Sequence, residues 1–291
     1  MIDALWLLLR AAGFVLLLQA TGSVLFLAQV AGAVDTSGAG AIRALGLRTT
    51  LAALALVLAQ GLYEPLHLAG AWDGWSDPSL RRLVFLSAGG VAFWLRVAGL
   101  AGVALALRRA PPRGLRGLAL PAALVALASF LVSGHTLLDA HRVILAPLLA
   151  LHVLVAAFWF GSLAALRALL AMAPVVPIAP ALAQFSRRAV WLVPLLALAG
   201  VCLAGVLLPD LAALRRPYGE LLCLKALLFA LLMGLAALNR LRLVPALERG
   251  EPHAPSSLRG TLAAEYFLIV GVLVATAALT GLFSPAEDSS A

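Results

Sequence analysis

The sequence predicts an all-α protein: a polytopic transmembrane bundle of about eight helices with both termini on the outer, periplasmic side. Three observations carry this reading. The chain is 63% hydrophobic and only 12% charged, more apolar than a soluble domain needs. Apolar runs of about 20 residues, the length that crosses a bilayer's hydrocarbon core, recur along its whole length. Arginines gather in alternate turns between those runs.

The first helix covers residues 4–31. Ala31-Gly32-Ala33 resembles a signal-peptide cleavage site, but Met1-Ile2-Asp3 puts no basic residue before the apolar run, and the run is too long. The second, 49–69, holds Glu64, Pro65 and His67 near its outer end; Pro65 is expected to bend the helix or free a carbonyl. Trp72 and Trp75, beside Asp73 and Asp77, read as interfacial anchors. The third, 83–107, stops at Arg108-Arg109-Ala110-Pro111-Pro112. The fourth, 118–132, is short and relies on its neighbours to reach across. The fifth is 143–166, followed by a segment punctuated by Pro174, Pro177 and Pro180. The sixth, seventh and eighth are 189–208, 218–238 and 262–283. Nothing in the chain reads as a soluble domain, a low-complexity tail or an internal repeat, so residues 1–291 form one integral membrane domain.

Orientation follows from arginine. Loops after helices 1, 3, 5 and 7 carry Arg43, Arg48, Arg108, Arg109, Arg113, Arg116, Arg167, Arg187, Arg188, Arg240, Arg242, Arg249 and Arg259. Loops after helices 2, 4 and 6 carry Arg81, Arg82, Arg142, Arg215 and Arg216. Thirteen against five places the first set in the cytoplasm. The formal charge of +8 is therefore topology and not nucleic-acid affinity. Every basic residue except Lys225 is arginine. A nucleotide-binding glycine loop and an ordered nucleophile–base constellation are both lacking, so ATP-driven transport and classical enzyme chemistry have no support.

Four histidines, His67, His135, His141 and His152, fall where four helices meet the outer side. Polar residues at such depths line sites or pathways, and imidazole suits copper and zinc. His67 lies three residues after Glu64, on the same helix face. His152 is placed about 13 Å below the outer end of its helix, with Trp159 seven residues on and on the same face. Cys202 and Cys223 lie roughly 7–9 Å from the outer ends of their helices and are possible soft ligands; a buried cysteine in an apolar helix is usually only a small packing residue. Glu64, Arg96, Glu220, Lys225 and Glu265 are expected to face the bundle interior, as ion pairs or as a polar pathway. Arg10 is expected to snorkel to the surface. His253 falls in a cytoplasmic loop and drops out.

Ordered motifs then converge on one family. Phe185-Ser186-Arg187-Arg188, Pro217-Tyr218-Gly219-Glu220-Leu221-Leu222 with Lys225, and Leu238-Asn239-Arg240 with Pro245 form one set. Leu151-His152, Phe158-Trp159-Phe160-Gly161-Ser162-Leu163, Ser133-Gly134-His135, Arg96 and Glu265, with Leu279-Thr280-Gly281-Leu282 and Pro285, complete it. Together they resemble the copper resistance protein D family, with the strongest likeness over about 129–285. The resemblance implies a bacterial inner-membrane protein that takes up or transports copper from the periplasm and contributes to copper tolerance. It further implies a separate CopC-like periplasmic copper-binding partner. His135 and His152 become the primary ligand candidates, with His67 or His141 completing a site and Glu64 orienting an imidazole. Met172 and Met233 are the only methionines after Met1, which leaves imidazole as the main ligand. The alternatives are a haem b held between His152 and a histidine on another helix, or a copper-delivery factor that does not transport.

Overall fold

A computed structural model describes residues 2–30, 32–109, 115–132, 142–172, 178–207 and 212–282. Ten α-helices occur among them: α1 (Ile2–Val30), α2 (Thr36–Ala69), α3 (Pro78–Leu86), α4 (Ala88–Arg109), α5 (Leu115–Ala128), α6 (Arg142–Ala171), α7 (Ala179–Leu207), α8 (Pro217–Leu238), α9 (Val244–Glu248) and α10 (Ala254–Gly281). Seven of the described helices are long and apolar enough to cross a membrane, and Gly117–Val132 is a shorter apolar one. The expected polytopic helical bundle is thus what the chain forms. The end where α1 begins and α10 finishes is called the upper end below.

α1 runs through the middle. It packs against α2, α6, α5 and α10, and most of its second half is buried. In lipid no hydrophobic force drives helices together, so close approach depends on small residues. Gly22 on α1 meets Gly161 on α6 backbone to backbone: a Cβ on Gly22 would stand 1.8 Å from the Ala157 carbonyl oxygen, and one on Gly161 would stand 2.2 Å from the Gly22 carbonyl carbon. Gly99 and Gly102 of α4 admit Ala122 and Ala126 of α5 in the same way. Two hydroxyls of α1 turn back on its own backbone. Thr21 donates to the Leu17 carbonyl at 2.7 Å and Ser23 to the Gln19 carbonyl at 2.8 Å.

Three helices begin well before the expected spans. α2 starts at Thr36, where Asp35 accepts a bond from the Gly38 amide at 2.8 Å, and its 34 residues reach about 51 Å. α7 and α10 likewise start at Ala179 and Ala254. The expected third helix is instead two. α3 is capped by Asp77, which accepts from the Ser79 amide (2.7 Å) and hydroxyl (2.6 Å), with Pro78 in the first turn. These bonds hold the Asp77 carboxyl below its ordinary range. Ser87 is extended and breaks the chain before α4, whose first turn hangs on the Ser87 carbonyl. Trp72 and Trp75 lie in a 3-10 turn above, 62% and 38% exposed.

α8 passes into a π-helical turn, Asn239–Leu243, then α9. The wide turn sits directly before Pro245, which has no N–H to donate and crowds the carbonyl four residues back. It carries Asn239 inward, and π-turns of this kind frequently mark functional positions. At the lower end Arg240 donates to the Ser186 hydroxyl at 2.9 Å, Gln29 to the Gln184 carbonyl at 2.9 Å, and Arg43 to the Leu107 carbonyl.

Candidate functional site

A cluster at the upper end joins α1 to α2. The Trp6 indole donates to Glu64 Oε2 at 2.9 Å and stacks on His67, with ring centroids 4.4 Å apart. His67 Nδ1 lies 3.3 Å from Asp3 Oδ1. Glu64 and His67 do share a face, and Trp6 is what that face meets. Tyr63 donates to the Ile2 carbonyl at 3.2 Å. Trp6 carried no expectation, although it stands one helical turn before Arg10.

Beneath this cluster a cavity of about 1230 Å³ descends into the bundle between α1, α2, α4, α6, α7, α8 and α10. Glu64, Arg96, His152, Trp159 and Lys225 all line it, as do Arg10 and Cys223. Counting from the upper ends of their helices at 1.5 Å per residue, Arg96 and Lys225 lie about 12 Å down and His152 about 15 Å. The His152 ring packs against Gly200 of α7, where an added Cβ would stand 3.3 Å from its Cε1. Nδ1 is buried without a well-aligned hydrogen bond, and the ring lies close to the Leu196 backbone of α7 and within electrostatic reach of Lys225. Arg96 donates to the Ser129 hydroxyl at 3.1 Å and lies over the Phe130 ring.

Arg10 departs from expectation. It does not snorkel outward but turns in, donating to Thr280 Oγ1 at 3.1 Å and lying over Trp6 and Phe14. Thr280 and those two rings supply part of what lipid headgroups would otherwise offer, while Arg10 Nε stays buried without a hydrogen-bond partner. Glu220 departs too: it is exposed in the first turn of α8, where a carboxylate complements the helix dipole.

Trp159 closes the lower part of the cavity edge-on to Phe229, their centroids 6.3 Å apart. It also hydrogen-bonds Glu265. Below that, Glu265 is 2% exposed and accepts from the Asn239 amide, whose oxygen accepts from the Thr261 hydroxyl. Upper cavity and lower polar cluster therefore share one side chain. The family-like motifs touch one another here: Asn239 meets Glu265, and Arg240 meets Ser186.

His135 and His141 lie outside the described residues. Among the described residues no three His, Cys, Asp or Glu side chains are grouped to hold a metal. His67 is at the mouth and does not line the cavity, so His152 is the only described histidine inside it. The two cysteines separate: Cys223 is exposed and lines the cavity, whereas Cys202 is half-buried and does not. His253 is exposed ahead of α10.

Fold and cavity together define a polytopic α-helical membrane protein with a charged cavity open toward one end. The family model described as Copper resistance protein D matches residues 179–279, from the start of α7 almost to the end of α10. The chain is also similar to Copper resistance protein D of Pseudomonas syringae pv. tomato, 31% identical over 312 residues that cover 99% of each protein. No solved structure matches it. The chain belongs to the copper resistance protein D family, which ties it to copper resistance.

Proposed function

We propose that this protein sits in the bacterial inner membrane with its upper end in the periplasm, takes copper there and passes it across, with copper as cargo. The observation that carries the reading is His152, the one described imidazole in the wall of a deep cavity. His67, backed by Asp3 and by the stacked Trp6, is suited to first capture at the mouth. His135, in a matched motif, and His141 are the further imidazole candidates that the sequence offers. Glu64 is pinned by Trp6 and orients the mouth, not His152.

Trp159 and Glu265 lie on the route beyond the cavity, and Glu265 offers a carboxylate at its lower end. A CopC-like periplasmic protein would deliver copper to the upper end. No step requires covalent chemistry, and the chain acts as a carrier and not an enzyme. The experiment is copper uptake into proteoliposomes containing only this protein. His152→Ala is expected to reduce uptake severalfold with unchanged membrane insertion. Uptake equal to the native protein's would overturn the role of His152, and no uptake by the native protein would reduce the function to delivery.

A further inference from the structure

The cavity's charge does not match a cation alone. Arg10, Arg96 and Lys225 line it, and Glu64 is the single carboxylate among its described lining residues. That carboxylate is already taken up by the Trp6 indole and lies within electrostatic reach of both arginines. Lys225 has no hydrogen bond or ion pair among the described residues, and the group within electrostatic reach of it is the His152 imidazole, which offers it no negative charge. Cations held in a low-dielectric interior face partners or a ligand. Here three cations face one carboxylate. An added copper ion worsens the imbalance, whereas an anion relieves it.

The remaining wall is apolar. Phe14, Leu17, Val57, Phe93 and Leu273 contribute to it. A site with a few placed charges in apolar surroundings selects a ligand with an anionic head and an apolar body. The way in also favours such a ligand. α7 packs on α6 and α8 packs on α10, but α7 and α8 do not pack extensively along one another. Val201 of α7 is 69% exposed and Cys223 of α8 is exposed, yet both line the cavity. The cavity therefore opens sideways between these two helices, toward the hydrocarbon.

We propose that this cavity binds an amphipathic anion, a carboxylate or phosphate headgroup held among Arg10, Arg96 and Lys225 with its tail leaving between α7 and α8. The site shares its walls with the copper reading but does not depend on copper. The same chemistry can come from a free fatty acid or from an anionic phospholipid.

The test uses the purified full chain in nonionic detergent with copper removed by chelation. Laurate is expected to bind and dodecyltrimethylammonium, with the same tail and opposite charge, is not. Lys225→Met and Arg96→Met should each weaken laurate by about tenfold, Lys225→Arg should restore it, and Glu64→Gln should tighten it. Melting temperatures without ligand identify a variant that has merely lost its fold. Independently of those variants, Cys202→Ser protein should be protected by laurate from maleimide labelling at Cys223. Equal binding of both amphiphiles, equal protection by both, or laurate affinity unchanged in both methionine variants overturns the proposal. Displacement of laurate by phosphatidylglycerol in nanodiscs, but not by phosphatidylcholine, assigns the anion to lipid. No displacement by either assigns it to a free carboxylate; both outcomes support the site. Because no arm contains copper, laurate binding can stand while His152→Ala leaves uptake unchanged, and the reverse.

Discussion

Glu265 is the residue on which the lower half of the bundle turns. Its carboxylate is buried and gathers Asn239, Trp159 and, through Asn239, Thr261. Removing it leaves buried donors without acceptors, which costs about 1–3 kcal/mol for each group so orphaned. Glu265→Ala is expected to lower the melting temperature of the detergent-solubilised protein, and Glu265→Gln, which keeps an acceptor, to lower it less. If Glu265 also lies on the copper route, Glu265→Gln reduces uptake while remaining folded. Uptake like the native protein's, in a variant of near-native stability, would confine Glu265 to structure. Some of this was legible in the sequence: Glu265, Trp159 and Asn239 stand out as polar or bulky residues in apolar helices. Their meeting was not, because they come from three helices and only the π-turn swings Asn239 into line.

At the scale of elements, the α1–α6 crossing is the contact with least tolerance. The obstacle that a side chain at Gly161 would meet is the Gly22 backbone, which cannot rotate away. Gly161→Leu is expected to cost more than the about 1–3 kcal/mol of ordinary overpacking, seen as loss of folded protein in a thermal solubility assay. Gly234→Leu, on α8 where an added Cβ meets nothing within 4 Å, is the control and should be tolerated. The sequence located each span by its apolar stretch but missed how far helices continue beyond it. Residues 36–48 of α2 carry Arg43 and Arg48 and look like loop by hydropathy, yet Asp35 caps a helix that includes them. The break at Ser87 was hidden for the opposite reason: an apolar run shows no interruption where one serine changes the backbone.

For the whole molecule, the arginine bias assigns both termini and the cavity mouth to one side of the membrane. In right-side-out cells a cysteine introduced at Asp73, above the bundle, is expected to react with an impermeant maleimide. One at Arg249, at the opposite end, should react only after permeabilisation. The reverse pattern would invert the protein and place the cavity on the cytoplasmic side. Sequence alone supplied that side and the membership of His152, Arg96, Lys225 and Glu64 in a polar set. It could not supply the cavity, which exists because α7 and α8 stand apart. Nor could it turn Arg10 inward, since its acceptor Thr280 lies on the last helix.

The central position of α1 also bears on how the protein is made. α1 leaves the ribosome first, while α6 and α10, which will enclose it, are synthesised long after. During that interval it must tolerate lipid on faces that end up in the core. Its threonine and serine hydroxyls donate to carbonyls of their own helix, and the Gln19 amide nitrogen donates to Ser23 at 3.0 Å. Their donors therefore need no partner from another segment. The middle of the helix that organises the finished bundle is equipped to wait in the bilayer, whereas Arg10 and Gln29 toward its two ends meet their acceptors only when α10 and α7 arrive, and the glycine pair becomes the docking point for α6.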